Sequence, residues 1–272
     1  MKGLAILLLL SSALQSCTAA PPLEPVTCMK NGSAAAARAA THQINENHDH
    51  GYKFKLNVIQ GHKIQKVFGG CDIDLKLDLL ETECHKVHPT HFEDCIIYGE
   101  DEREVMANCS VKMTVRNGYA QVTKYECGTR QAKTAREMVT ICADCPTMIS
   151  LTSPKGLKGV QQAVQKFNQN TTNQHYYSLQ EVGRMTTGYI MNVGMNYYAQ
   201  IVLVENSCPM GSTEECYPIC PDRAHHAFCR MSYSNARGIR SLECEYFPPS
   251  NTDPLQPHQL EPICMDPPPP TP

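Results

Sequence analysis

The chain has 272 residues, 24 basic against 27 acidic side chains and a net charge of −3. That balance excludes the strongly basic footprint of a nucleic-acid or anionic-membrane binder, and the length suits two domains of ordinary size. Fifteen cysteines point to a disulfide scaffold in an oxidising compartment rather than to structural metal or redox catalysis.

Residues 1–20 have the form of a signal peptide. Lys2 precedes the apolar run Leu4 to Leu10, and small residues end it at Ala19-Ala20. The run is too short to anchor in a bilayer, so a secreted, extracellular protein without a membrane partner is expected. Cleavage removes Cys17 and leaves fourteen cysteines, an even number. Sequons at Asn31, Asn108 and Asn170 predict surface positions open to glycosylation.

The first domain is assigned to residues 21–140. Residues 34–46 are alanine-rich and helix-favouring, with Ser33 placed as N-cap. Tyr52 to Val58 alternates apolar and polar residues as a half-buried strand does. In Asp72 to Leu79, Ile73, Leu75, Leu77 and Leu79 face one way and Asp72, Asp74, Lys76 and Asp78 the other. Cys109 to Cys127 reads as a hairpin whose Asn117-Gly118 suits a type I′ turn. One helix followed by an antiparallel sheet defines an α+β domain.

The linker, residues 141–150, carries Cys142-Ala143-Asp144-Cys145-Pro146. Two cysteines separated by two residues can close a very small ring, and Pro146 fixes the backbone leaving it. The product is a stiff knuckle offering one carboxylate, Asp144.

The second domain, residues 151–248, repeats the first. Ser153-Pro154 opens a helix with Leu157, Val160, Val164 and Phe167 at helical spacing. At an offset near 123, Asn45 matches Asn168 and Leu56 matches Leu179; at 124, Leu79, Glu81 and Cys84 match Leu203, Glu205 and Cys208. So regular an offset indicates an internal duplication. Spacing pairs Cys84 with Cys95, Cys109 with Cys127, Cys142 with Cys145, and Cys229 with Cys244. Cys208 takes Cys216 or Cys220, Cys71 takes the other, and Cys28 is left to join Cys264 across the two ends. The tail, residues 249–272, is proline-rich with little to bury.

One helix, a four- or five-strand antiparallel sheet and two successive carboxy-terminal disulfides resemble the cystatin domain. Two of them in tandem, joined through Cys-x-Asp-Cys-Pro and closed by a first-to-last bridge, resemble the fetuin family. Leu77 to His85 and Ser178 to Val182 look most like its fetuin-B branch. The resemblance implies two tandem cystatin-like domains, disulfide-rich, in a monomer that inhibits astacin-family zinc metalloproteinases. Cys142, Ala143, Asp144, Cys145 and Pro146 would form the inhibitory loop, with Asp144 directed at the protease zinc. Ala143 stands where the fetuin-B form of the motif carries proline. Catalytic zinc keeps one open position, normally held by water. A carboxylate on a ring too stiff to adopt a substrate pose can take that position at small ordering cost.

Other sites compete. Gln65-Lys66-Val67-Phe68-Gly69 fits the Gln-x-Val-x-Gly hairpin by which cystatins block cysteine proteases, but the chain has no Trp for the partner loop. Gln65, Val67, Gly69 and Gly194 are therefore expected mainly as hairpins flanking the linker. Asp72, Asp74 and Asp78 suggest a fetuin-A-like carrier of mineral or other cargo, although Lys76 interrupts the array. His85, His88 and His91, with His225-His226, are expected as surface histidines rather than metal ligands. Cys142 and Cys145 lack the βαβ context of a redox pair. There is no Gly-x-Ser-x-Gly, His-Glu-x-x-His or phosphate loop. The chain is expected to be no enzyme, with no cofactor and no metal of its own.

Overall fold

A computed structural model describes residues 24–48, 51–170, 172–212, 216–217 and 219–254. The expected signal peptide, Cys264 and all but the start of the proline-rich tail lie outside the described residues. No described helix is long and apolar enough to cross a membrane.

The first half places helix α1 (Ser33–Asn47) on a four-stranded antiparallel sheet. Its strands follow chain order: β1 (Tyr52–Val67), β2 (Gly70–His85), β3 (Val105–Arg116) and β4 (Tyr119–Gln131). The inward face of β2, Ile73, Leu75, Leu77 and Leu79, is at most 2% exposed and packs with Ala36, Ala37, Ala40 and Ile44 of α1. Alanines bring the helix close, and each buried leucine stabilises by roughly 1.5–3 kcal/mol. Ser33 is the first helical residue and Gly32 the N-cap, with no side-chain cap bond. Asn117 and Gly118 both have positive φ, at 50° and 84°, as the type I′ turn requires.

A short helix, α2 (Ala135–Ile141), leads to the linker. The second half sets α3 (Pro154–Asn168) on a five-stranded sheet. Its strands are β5 (Thr147–Met148), β6 (His175–Ile190), β7 (Gly194–Pro209), β8 (His226–Ser234) and β9 (Gly238–Phe247). Strand β5 comes from the linker, so residues 147–148 join the second sheet. The repeat extends to side-chain bonding. The Asn45 amide donates to Phe54 O at 2.8 Å and accepts from Phe54 N at 2.7 Å; Asn168 does the same with Tyr177, at 2.8 and 2.9 Å. In both copies an asparagine in the last helical turn replaces a ladder partner for the strand that follows the helix.

Disulfides join Cys84 to Cys95, Cys109 to Cys127, Cys142 to Cys145, Cys208 to Cys216 and Cys229 to Cys244. Two expected pairings are overturned. Cys28 bonds Cys71 across a Cα separation of 5.7 Å, so neither Cys28–Cys264 nor a pairing of Cys71 with Cys216 or Cys220 exists. The reason is local: the segment before α1 starts at the hairpin end of the sheet, beside the first residues of β2. Cys220 is disulfide-bonded as well.

The two domains meet through an apolar cluster separate from either core: Tyr52, Tyr98, Val202, Phe228 and Phe247. His85 lies inside this seam, 2% exposed, against the rings of Tyr52 and Phe228 and 3.2 Å from Glu181. His226 is buried too. The expectation of surface histidines fails for both, because strand ends that would be solvated in a lone domain are covered in the pair. Among the described residues no group of three or more potential ligands could hold a metal.

Candidate functional site

The linker ring is built from both sides. Thr134 caps α2: its hydroxyl accepts from Glu137 N at 3.3 Å while the Glu137 carboxylate accepts from Thr134 N at 2.7 Å. Met138, 1% exposed, anchors the helix, and Cys142 N–H closes its last turn on Met138 O at 2.8 Å. Cys142 is therefore delivered at a helix terminus. The Cys142–Cys145 disulfide spans 5.4 Å between Cα atoms. Cys145 N also donates to Cys142 O at 3.4 Å, a turn inside the covalent ring.

The exit is held as firmly. Pro146 O accepts from Arg103 Nε at 3.1 Å, and Thr147 and Met148 pair with Thr187 and Thr186 of β6. Ala143 and Asp144 are left exposed at the apex. Among the described residues no hydrogen bond or ion pair engages the Asp144 carboxylate, so it stands available to an external cation.

What stands beside the ring differs from expectation in the first-domain hairpin. Strand β6 passes Pro146 at Gly188 and ends in a turn at Asn192 and Gly194, with φ of 67° and 88°. Tyr189 and Met191 on this tip are largely exposed. The β8–β9 turn lies at the same end, since Ser234 pairs with Asn196 of β7. Both flanking hairpins thus belong to the second domain. Gln65, Val67 and Gly69 do not join them. Arg103, which holds Pro146, precedes β3, and the β1–β2 turn pairs with the far end of that twelve-residue strand at Gly70 and Arg116. The separation is roughly 35 Å along the strands. Gln65 and Phe68 are exposed at this remote tip, where Gly69 O accepts from Asn117 N at 3.2 Å.

The seam fixes the ring relative to the second domain. Arg184 of β6 is buried, donates to Glu81 at 3.0 Å and to the carbonyls of Glu102 (2.6 Å) and Arg103, and lies 4.1 Å over the Tyr98 ring. Gln200 accepts from the hydroxyls of Tyr52 and Tyr98. Gly183 permits this approach: a Cβ there would lie 2.8 Å from the Tyr52 hydroxyl. No sequence motif marks these seam residues. A signal for them existed in Ile201-Val202-Leu203-Val204, four apolar residues in succession, which mark a strand buried on both faces.

The acidic face of β2 offers no open array. Asp78 is 8% exposed and accepts from Gln60 and Asn108, and Asp72 pairs with Arg116. Asn31, Asn108 and Asn170 are all exposed.

Fold and site together define a class: a tandem cystatin-like protein with the two-domain frame of the fetuins and a constrained aspartate between its halves. Residues 24–117 match the cystatin domain family. The antihemorrhagic factor cHLP-B of Gloydius brevicauda is 28% identical over 237 residues, covering 85% of this chain and 68% of that protein. The crystal structure of mouse fetuin-B superposes with a TM-score of 0.64 at 24% identity, over 90% of this chain and 82% of that one. Mouse fetuin-B in complex with crayfish astacin gives 0.62 at 23%, over 84% and 70%.

Proposed function

We propose that this chain is a secreted inhibitor of astacin-type zinc metalloendopeptidases, and that Asp144 is the group it offers to the protease zinc. The observation that carries this is a carboxylate without a partner among the described residues, on a four-residue disulfide ring clamped by a helix before it and a strand after it. The likeness to a fetuin-B seen bound to astacin supports the choice of target class. Zinc in such an enzyme leaves one position for a water or a ligand. The ring presents Asp144 to that position with its backbone already ordered. Tyr189 and Met191 on the β6–β7 tip, with the β8–β9 turn at the same end of the sheet, supply surface to rest against the cleft walls. The zinc belongs to the target.

Inhibition of crayfish astacin by the purified chain, compared with Asp144→Ala, tests the assignment. Losing a charged group at the centre of an interface costs about 3 kcal/mol, roughly a hundredfold in the inhibition constant. An Asp144→Ala protein that inhibits as well as the parent removes Asp144 from the mechanism.

A second activity is favoured at the remote tip by one observation: Phe68, beside Gly69, is fully exposed. A cysteine-protease wedge there predicts papain inhibition that Gly69→Arg abolishes and Asp144→Ala leaves intact. No inhibition of papain by the parent chain ends that reading.

A further inference from the structure

The two repeats use the same sheet face in opposite ways. In the second domain the outward residues of β6 to β9 form matched rows, Thr186–Tyr198–Ser232–Ser241 being one of them. Tyr98, Glu102, Arg103 and the ring stand over that face and line a cleft of about 470 Å³ with it. In the first domain the corresponding row is Lys63–Asp74–Lys112–Lys124. Lys76 stands one row below, where the second domain has Gln200. All four lysines are exposed, and they line an open groove of about 470 Å³.

Two features set this groove apart from a solvated face. Lys112 and Lys124 are directly opposed across neighbouring strands, an arrangement of like charges that destabilises a sheet. Of the four ammonium groups only Lys124 has an ion pair among the described residues, with Glu126 at 2.7 Å. Counting Asp74 and Glu126 against four lysines leaves two positive charges on a chain whose net charge is −3. Strand spacing sets Lys112 about 4.8 Å from Lys124 and about 9.6 Å from Lys63, with Asp74 between them, and Lys76 about 6.8 Å along β2 from Asp74. His62 is the one ring in the lining, and no Phe, Tyr or Trp side chain lines the groove for a nucleobase to stack on.

We propose that the outer face of the first sheet binds a linear sulfated polysaccharide, with Lys63, Lys76, Lys112 and Lys124 as its sulfate contacts. The sheet spreads point charges in rows suited to a polymer carrying repeated anions. Binding supplies a counter-charge to Lys112, which is opposed to Lys124 and has no ion pair of its own among the described residues. The face is remote from the ring, so the chain can hold matrix and protease together.

The test uses a short heparin oligosaccharide and its desulfated form, with binding measured across a salt series. Three full-length proteins are compared: the parent, a triple Lys63→Gln/Lys76→Gln/Lys112→Gln variant, and a charge-matched Lys155→Gln/Lys158→Gln/Lys166→Gln variant on α3. The first triple variant is expected to bind roughly a hundredfold more weakly at low salt, with a salt slope lower by about two to three. It should keep its melting temperature and its inhibition of astacin, and the α3 variant should bind as the parent does. Equal losses in the two triple variants overturn the proposal. So do equal binding of the desulfated sugar, tighter binding to single-stranded DNA or phosphatidylserine vesicles, and failure of the parent to bind at low salt.

Discussion

Glu81 shows what holding two domains together demands of a single side chain. Burial disfavours its charged form more than Arg184 favours it, so its carboxyl is pushed up to about 7. The groups facing it are Arg184 from β6 and the rings of Tyr52 and Tyr98, both of whose hydroxyls are held above their ordinary range by burial. A carboxyl raised in the folded state adds stability fully present below its unfolded value near 4.5 and lost as pH rises through about 7. Glu81→Gln fixes the neutral form. Between pH 5 and pH 8 the parent should therefore lose on the order of 2 kcal/mol relative to the variant. Thermal melts of both proteins at those two pH values read the difference directly. A constant gap between their melting temperatures would mean that Glu81 stays ionised throughout, with Arg184 prevailing over burial.

Among the elements, the ring is the one whose covalent chemistry adds least to the fold and most to the proposed activity. Closing a four-residue loop removes about 2 kcal/mol of unfolded-chain entropy, whereas leaving its residues free to move before binding costs about 1–2 kcal/mol each. Cys142→Ser/Cys145→Ser should thus lower the melting temperature by only a few degrees and weaken astacin inhibition roughly a hundredfold. A double variant that inhibits like the parent would show that stiffness is not the device. Local features of this kind are legible in the sequence. The ring, the Asn117-Gly118 turn and the alternation of β2 depend on residues a few positions apart. So do the cysteine pairs that close short loops. The partner of Cys28 does not, because it depends on where α1 crosses the sheet. The same limit misplaced the hairpin at Gln65–Gly69. Gln65–Gly69 fits a motif, yet the long strands put its turn far from the linker, while the β8–β9 turn carries no motif at all.

At the scale of the whole molecule the duplication is symmetric in fold and asymmetric in use. The helix side of each sheet is a complete core. The opposite side of the second sheet carries Val202 and Phe228, where the first has Asp78 and Asn108. The seam is therefore encoded by a few residues on an outer face, and neither domain's own core depends on them. Phe228→Asn places on the second domain the residue that the first carries at that register. It leaves a polar amide against Tyr52 and His85 and removes a buried ring, at a cost of about 3–4 kcal/mol. Since that loss falls on the seam, calorimetry should show one unfolding transition in the parent and two in Phe228→Asn, with circular dichroism below both transitions unchanged. Astacin inhibition should weaken as well, because the ring is clamped by Arg103 on one side of the seam and by β6 on the other. A single transition lowered by the same free energy would place Phe228 within the core of the second domain, and the two halves would then be rigid for some other reason.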